Sequence, residues 1–131
     1  PNETEAASLI GADPAQALNL DDAFEKLHKM GAENVIITLG SSGAAISTSD
    51  GKRCLVSPLP VTVVNTTGAG DCFNGALAVA LAEGKDIESA AVFATAASGL
   101  SVSHDGICGS LPERDAVEKV LSETEIKIKT I

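Results

Sequence analysis

The stretch VTVVNTTGAGDCFNGALAVALAEG, residues 61–84, decides the fold. Val61–Thr67 reads as a strand, Gly68-Ala69-Gly70-Asp71 interrupts it, and from Cys72 to Gly84 the apolar positions recur at helical spacing. Gly68 and Gly70 permit positive φ and carry no Cβ. Successive backbone N–H groups can therefore converge on an anion that also feels the dipole of the following helix. That is the chemistry of a phosphate cradle, although an ordinary strand–helix turn capped by Asp71 fits the same residues, and spacing alone leaves both open. The loop is neither the dinucleotide fingerprint GxGxxG nor a Walker A loop, because the Lys-Ser/Thr pair is absent. An aspartate facing a bound phosphate repels it unless its charge has another use. Abstracting a proton from an attacking hydroxyl is such a use, which makes Asp71 a candidate base, with the loop dipoles stabilising charge on a transferred group.

On the N-terminal side, residues 3–10 (ETEAASLI) and 21–30 (DDAFEKLHKM) read as amphipathic helices, the second capped at Asp21 and stopped by Gly31. NVIITLG, residues 34–40, suits a strand buried on both faces. A hairpin follows: one strand over 44–48, a turn at Asp50-Gly51, and a return strand over 53–57, ended by Pro58 and Pro60. On the C-terminal side, 87–102 is a small-residue helix, apolar nearly all round, as expected of an element packed between others. SHDGICGSLP, residues 103–112, is a loop. Residues 112–122 form a surface helix with Pro112 at its first position, and the tail EIKIKTI alternates like an edge strand. The pattern predicts an α/β fold with a mainly parallel sheet and helices upon it.

With 131 residues, nine Lys plus Arg against eighteen Asp plus Glu, a net charge of −9 and 44% hydrophobic residues, the chain fits one soluble globular domain. Only 2% of residues are aromatic, so the core must be packed with Ala, Val, Ile and Leu. An acidic surface without a Lys/Arg cluster, Trp or Tyr argues against nucleic acid as a partner. No apolar run is long enough for a membrane span and no signal-peptide pattern is present. Cys54, Cys72 and Cys108 form no CxxC pair, so neither a disulfide framework nor a zinc site is suggested, and a cytoplasmic location is expected. The first residue is Pro1 rather than Met, as expected of a piece of a longer protein.

Three segments carry a family resemblance. Pro1-Asn2-Glu3-Thr4-Glu5-Ala6 resembles PNxxEA, Thr38-Leu39-Gly40-Ser41-Ser42-Gly43 resembles TLGxxG, and Thr67-Gly68-Ala69-Gly70-Asp71-Cys72-Phe73-Asn74-Gly75 resembles TGAGDxFxG. These are motifs of the ribokinase-like (PfkB) carbohydrate kinases, in the family's order, and the ribokinase branch is the nearest. The resemblance implies a three-layer αβα fold. It also implies that the chain is the C-terminal nucleotide-binding and catalytic half, with the N-terminal sugar-binding half and its lid absent. Members of the ribokinase branch dimerise through that lid, so the resemblance leaves a homodimer open to the full-length protein.

By the same resemblance, Asp71 accepts the proton of the sugar hydroxyl, and the amides of Gly68, Ala69 and Gly70 form the anion hole. Asn2 and Glu5, one helical turn apart, lie near the triphosphate and its Mg²⁺, Glu5 acting through coordinated water. Read without the family, that pair is a solvated helix start. Thr38, Leu39, Gly40, Ser41, Ser42 and Gly43 line the nucleotide pocket, and Thr95 approaches the adenine. Asn65, Thr67, Ser101, His104, Gly106 and Ser110 match the family's monovalent-cation site, several through backbone carbonyls. The family usually has Asp where Asn65 stands. Asn keeps an oxygen ligand but loses the charge, so K⁺ activation is expected to be weaker or absent. No second His or Cys stands at ligand spacing from His104, which favours a plain loop residue, and His28 reads as a partly exposed helix residue. Cys72, at a helix N-terminus, reads as a buried thiol beside the base rather than a nucleophile.

The implied function is ATP-dependent phosphorylation of a sugar primary hydroxyl, D-ribose to ribose 5-phosphate first. Alternatives are a fructokinase, a 2-keto-3-deoxygluconate kinase, a pseudouridine kinase, or a nucleotide-binding module without catalysis.

Overall fold

The computed structural model describes residues 1–106, 109 and 111–131; Cys108 and Ser110, singled out above, lie outside them. The chain forms two compact units, Pro1–Leu55 with Lys129–Ile131, and Val56–Ile128.

In the first unit, helices α1 (Glu3–Leu9) and α2 (Leu20–Lys29) precede strand β1 (Asn34–Thr38) and a 3₁₀ turn at Gly40–Ser42. Strands β2 (Ala44–Thr48) and β3 (Arg53–Val56) form the expected hairpin, and β4 (Ile128–Thr130) completes a sheet of order β1-β2-β3-β4. The core gathers Ala6 of α1, Ala23, Phe24 and Leu27 of α2, Val35 and Ile37 of β1, and Ala45 of β2. Phe24 is completely buried, which contributes roughly 1.5–3 kcal/mol. Arg53 closes this core from the side: its guanidinium lies 5.6 Å from the Phe24 ring centroid and donates to Asp21 at 2.6 Å. Asp21 is thus an ion-pair partner and not the helix cap. The cap is Asn19, whose Oδ1 accepts from the Asp22 amide at 3.0 Å. His28 is partly exposed on α2, as expected, with Nδ1 2.7 Å from the Ala32 carbonyl and Nε2 2.9 Å from Ser47 Oγ.

The expected mainly parallel sheet is not what forms. β1 and β2 run antiparallel, with Asn34 opposite Thr48 and Thr38 opposite Ala44. The connections explain it. Leu39–Gly43 and residues 49–52 are far shorter than the dozen or more residues a parallel crossover needs. Parallel pairing survives as a bridge between Asn2 and Thr38, the Thr38 amide donating to the Pro1 carbonyl at 3.0 Å. Burial of β1 also falls short of both faces: Val35 and Ile37 are buried, Ile36 and Thr38 half-buried and Asn34 exposed.

The second unit is built from α3 (Ala69–Ala82), α4 (Ile87–Val102) and α5 (Arg114–Glu123). Asp86 caps α4, its carboxylate accepting from the Ser89 amide at 2.9 Å and the Ser89 hydroxyl at 2.8 Å. Ala90, Ala91, Ala94, Ala96 and Ala97 of α4 are buried together with Phe93. Arg114 lies over the Phe93 ring, 5.5 Å from its centroid, and pairs with Glu83 and Glu118. α5 starts at Arg114 with Glu113 as its cap, so Pro112 precedes the helix instead of opening it. Residues 61–67 form no strand. The amides of Val64 and Asn65 both donate to the Val102 carbonyl at the end of α4, at 2.7 and 3.1 Å, so they have no strand ladder to join. Among the described residues, no helix is long and apolar enough to cross a membrane.

Gly99 on α4 marks the closest approach: a Cβ built there would stand 2.6 Å from Leu59 Cβ. Alanine gains about 1 kcal/mol of helix propensity over glycine, but overpacking of this kind costs about 1–3 kcal/mol. Gly99→Ala is therefore expected to lower the urea midpoint of unfolding. An unchanged or higher midpoint would show that Leu59 moves aside freely.

Candidate functional site

Each unit carries its own share of the singled-out residues. In the first unit, Asn2 caps α1 in a reciprocal arrangement: its Oδ1 accepts from the Glu5 amide, and Glu5 Oε2 accepts from the Asn2 amide, both at 2.9 Å. The bridge to Thr38 brings this cap to the end of β1. From there Leu39–Gly43 folds back on itself, the Leu39 amide donating to the Gly43 carbonyl at 2.8 Å and the Ser42 amide to the Leu39 carbonyl at 3.0 Å. Gly40, Ser41 and Ser42 are exposed on this turn. Asn2, Glu5, Thr38 and the turn are thus held together by backbone and cap bonds.

In the second unit, Gly68 sits at φ +80°, a left-handed conformation that favours glycine, and serves as the N-cap of α3. Ala69, Gly70 and Asp71 are the first three residues of the helix, so Asp71 is acidic in the first turn, where the helix dipole favours negative charge. The Ala69 amide donates to the Thr66 carbonyl at 3.2 Å. Among the described residues, the Gly68 and Gly70 amides have no hydrogen-bond acceptor, and the exposed Asp71 carboxylate has no hydrogen bond or ion pair. Two donors and one carboxylate at a helix start can hold an anion and take up a proton beside it.

Around this turn, Asn65 Oδ1 accepts from the Thr67 amide at 2.9 Å, and Asn65 Nδ2 donates to Asp105 Oδ1 at 3.4 Å. Asp105 also accepts from the Gly106 amide at 2.9 Å. His104 Nδ1 lies 3.0 Å from the Leu100 carbonyl, a local loop bond. Ser101 is buried and donates to the Ser98 carbonyl at 2.8 Å. Thr95 is also buried, and its hydroxyl has no hydrogen-bond partner. Ser110 lies outside the described residues. Among those described, no group of three or more His, Cys, Asp or Glu is placed to hold a metal ion. Two neighbours of the loop carry no motif: Asp105, and Ser98, whose hydroxyl donates to the Ala69 carbonyl at 3.0 Å. Their only signal in the sequence is a polar residue within a small-residue helix and an acid in the loop after it.

Residues 1–114 match the family model described as pfkB family carbohydrate kinase. A ribokinase of Arabidopsis thaliana is 42% identical over 122 residues, which cover 92% of this chain and 32% of that protein. One from Bacillus subtilis is 43% identical over 122 residues, covering 93% and 38%. The crystal structure of a Thermotoga maritima ribokinase matches with a TM-score of 0.85 at 40% identity, over 93% of this chain and 41% of that one. The Arabidopsis ribokinase solved with ribose and ATP also matches at 0.85, with 42% identity over 92% and 39%. The α/β fold is therefore that of the ribokinases, and the chain spans about a third to two-fifths of the length of these relatives.

Cys72, next to Asp71, is 8% exposed, and burial pushes its thiol up, the smaller influence of the Ser101 hydroxyl acting the other way. A raised thiol pKa leaves less thiolate at neutral pH. Iodoacetamide should therefore alkylate Cys72 more slowly than a free cysteine, with the half-maximal rate displaced to higher pH. Alkylation at the free-cysteine rate would contradict the burial.

Proposed function

The chain belongs to the pfkB family of carbohydrate kinases, and from that premise we propose that it is the nucleotide-binding and catalytic part of an ATP-dependent sugar kinase. Its preferred reaction is phosphorylation of a primary hydroxyl of D-ribose, giving ribose 5-phosphate and ADP. The observation that carries this is the start of α3, where unengaged amides and an unpaired carboxylate share one turn. Support for ribose comes from identity of 42% with a ribokinase solved with ribose and ATP. The three-layer αβα architecture and the placement of the chain as the C-terminal half belong to the same proposal.

In the proposed reaction the sugar oxygen attacks the terminal phosphorus of ATP in line with the departing oxygen of ADP. One P–O bond forms as the other breaks, and the hydroxyl proton passes to the Asp71 carboxylate. The loop amides at 68–70 face the phosphoryl oxygens, where dipoles fixed in advance lower the barrier most. Gly68 and Gly70 supply the open donors, while the Ala69 amide is shared with Thr66. Asn2 and Glu5 attend the triphosphate, and Thr38 with Leu39–Gly43 lines the nucleotide pocket. Thr95 keeps its adenine role on the family pattern alone, since its hydroxyl is enclosed.

Glu5 has one carboxylate oxygen, Oε1, free of the cap bond. That fits Mg²⁺, which retains several waters and rests mainly on substrate phosphates. When bound it neutralises charge between the terminal phosphates. Asn65, Thr67, Ser101, His104, Gly106 and Ser110 are the proposed surroundings of a monovalent cation. Asn65 Oδ1 already accepts the Thr67 amide and carries no charge, so weak K⁺ activation is part of the proposal.

Calorimetric titration with Mg·ATP tests the nucleotide site. ADP release by the intact kinase with ribose, fructose, 2-keto-3-deoxygluconate or pseudouridine then identifies the acceptor. Nucleotide binding without ADP release on any of them would favour a binding module instead. Asp71→Asn is expected to leave Mg·ATP affinity nearly unchanged and to lower turnover at least about a hundredfold; undiminished turnover would remove Asp71 from the reaction. Asn65→Asp should steepen the dependence of turnover on K⁺ relative to the parent, and an identical K⁺ response would count against a cation at this loop.

A further inference from the structure

We infer that Ser98 is a positioning residue for the anion hole, its hydroxyl fixing the Ala69–Gly70 peptide so that the Gly70 N–H faces the transferring phosphoryl group. The inference rests on the function proposed above. A serine inside a helix ordinarily bonds back to a carbonyl of its own helix. Ser101 follows this habit, donating to the Ser98 carbonyl at 2.8 Å, and Ser103 donates to the Leu100 carbonyl at 2.7 Å. Ser98 departs from it. Its Oγ leaves α4 and donates to the Ala69 carbonyl in the first turn of α3, 3.0 Å away and 29 residues distant in sequence.

The Ala69 carbonyl and the Gly70 N–H lie in one peptide plane and point in opposite directions within it. Holding the oxygen therefore sets the direction of the N–H. Gly70 depends on such a hold, because it has no side chain, and a Cβ built there would meet nothing within 4 Å. Beyond the helix of which it is part, this peptide is held by the hydrogen bond that Ser98 makes to its carbonyl. The same bond polarises the peptide and strengthens the N–H as a donor. Both effects count most when charge has built up on the phosphoryl oxygens, so kcat should feel them more than nucleotide affinity does.

In the intact kinase, Ser98→Ala is expected to lower kcat about three- to tenfold, the worth of one hydrogen bond, with KM for ATP within about twofold of the parent. Ser98→Thr, which keeps the hydroxyl, should restore kcat. In amide NMR spectra of the 131-residue chain, loss of the hydroxyl should move the Gly70 nitrogen resonance upfield. Unchanged kcat in Ser98→Ala, alongside an inactive Asp71→Asn, overturns this inference and leaves the proposed function standing. A fall in kcat that threonine does not restore, with the Gly70 resonance unmoved, overturns it as well. Parent-level turnover in Asp71→Asn would instead overturn the proposed function itself.

Discussion

Close packing of small side chains is the constraint on which the second unit depends. Ala90, Ala91, Ala94 and Ala97 are buried on α4, and at Gly99 the backbone passes so near Leu59 that no side chain fits. Interhelical distance follows the size of the side chains at the contact. The same helix receives the Val64 and Asn65 amides at its C-terminal carbonyl, Val102. The segment leading into the glycine loop and the first turn leading out of it are therefore both tied to α4. Both flanks of the loop are thus anchored to α4, and the Ala69–Thr66 bond closes the loop between them.

Much of this was legible in sequence. Residues 87–102 read as a helix because small apolar residues run through all its faces, and α4 spans Ile87–Val102. Asp50-Gly51 marked the turn between β2 and β3 by local backbone preference, which needs no tertiary context. The failures share a cause. VTVVNTT has the composition of a strand, yet its Val64 and Asn65 amides are taken by the end of α4, a long-range partner that no local pattern reveals. Asp21 looked like a cap because acids favour the first helical turn, but Asn19 was the better acceptor and Arg53 drew Asp21 away. Sheet direction was misjudged because buried β-branched runs suggest parallel strands, whereas loop length decides whether a crossover is possible.

The site was legible where backbone conformation is dictated by residue type. Gly68 marked the turn before the helix and adopts the left-handed conformation, whereas Gly70 has no positive φ and lies inside α3, which starts at Ala69 rather than Cys72. Asn2 and Glu5 read as an exposed helix start, and α1 does start there, with the reciprocal cap added by the structure. Side-chain contacts between distant residues were not legible. Ser98 looks like one small residue among many, and nothing in its neighbours says that its hydroxyl crosses to another helix. The resemblance puts Thr95 near the adenine; its hydroxyl is buried without a hydrogen-bond partner.

The sheet ends on β4, only three residues long and exposed throughout, with Lys127 beside it and Lys129 within it. Before its first residue the Ser57 amide donates to the Lys127 carbonyl at 2.9 Å and the Lys127 amide to Ser57 Oγ at 2.8 Å, and after its last the Ile131 amide donates to the Arg53 carbonyl at 3.1 Å. A free sheet edge is a template on which another polypeptide can add a strand, and such additions begin aggregation. A short edge carrying ammonium groups is a poor template: an incoming strand would find few backbone partners and would have to dehydrate lysine to reach them. The Asn2–Thr38 bridge covers part of the β1 edge in a different way, by pairing it within the chain. β4 thus blunts its own edge of the sheet while burying none of its residues.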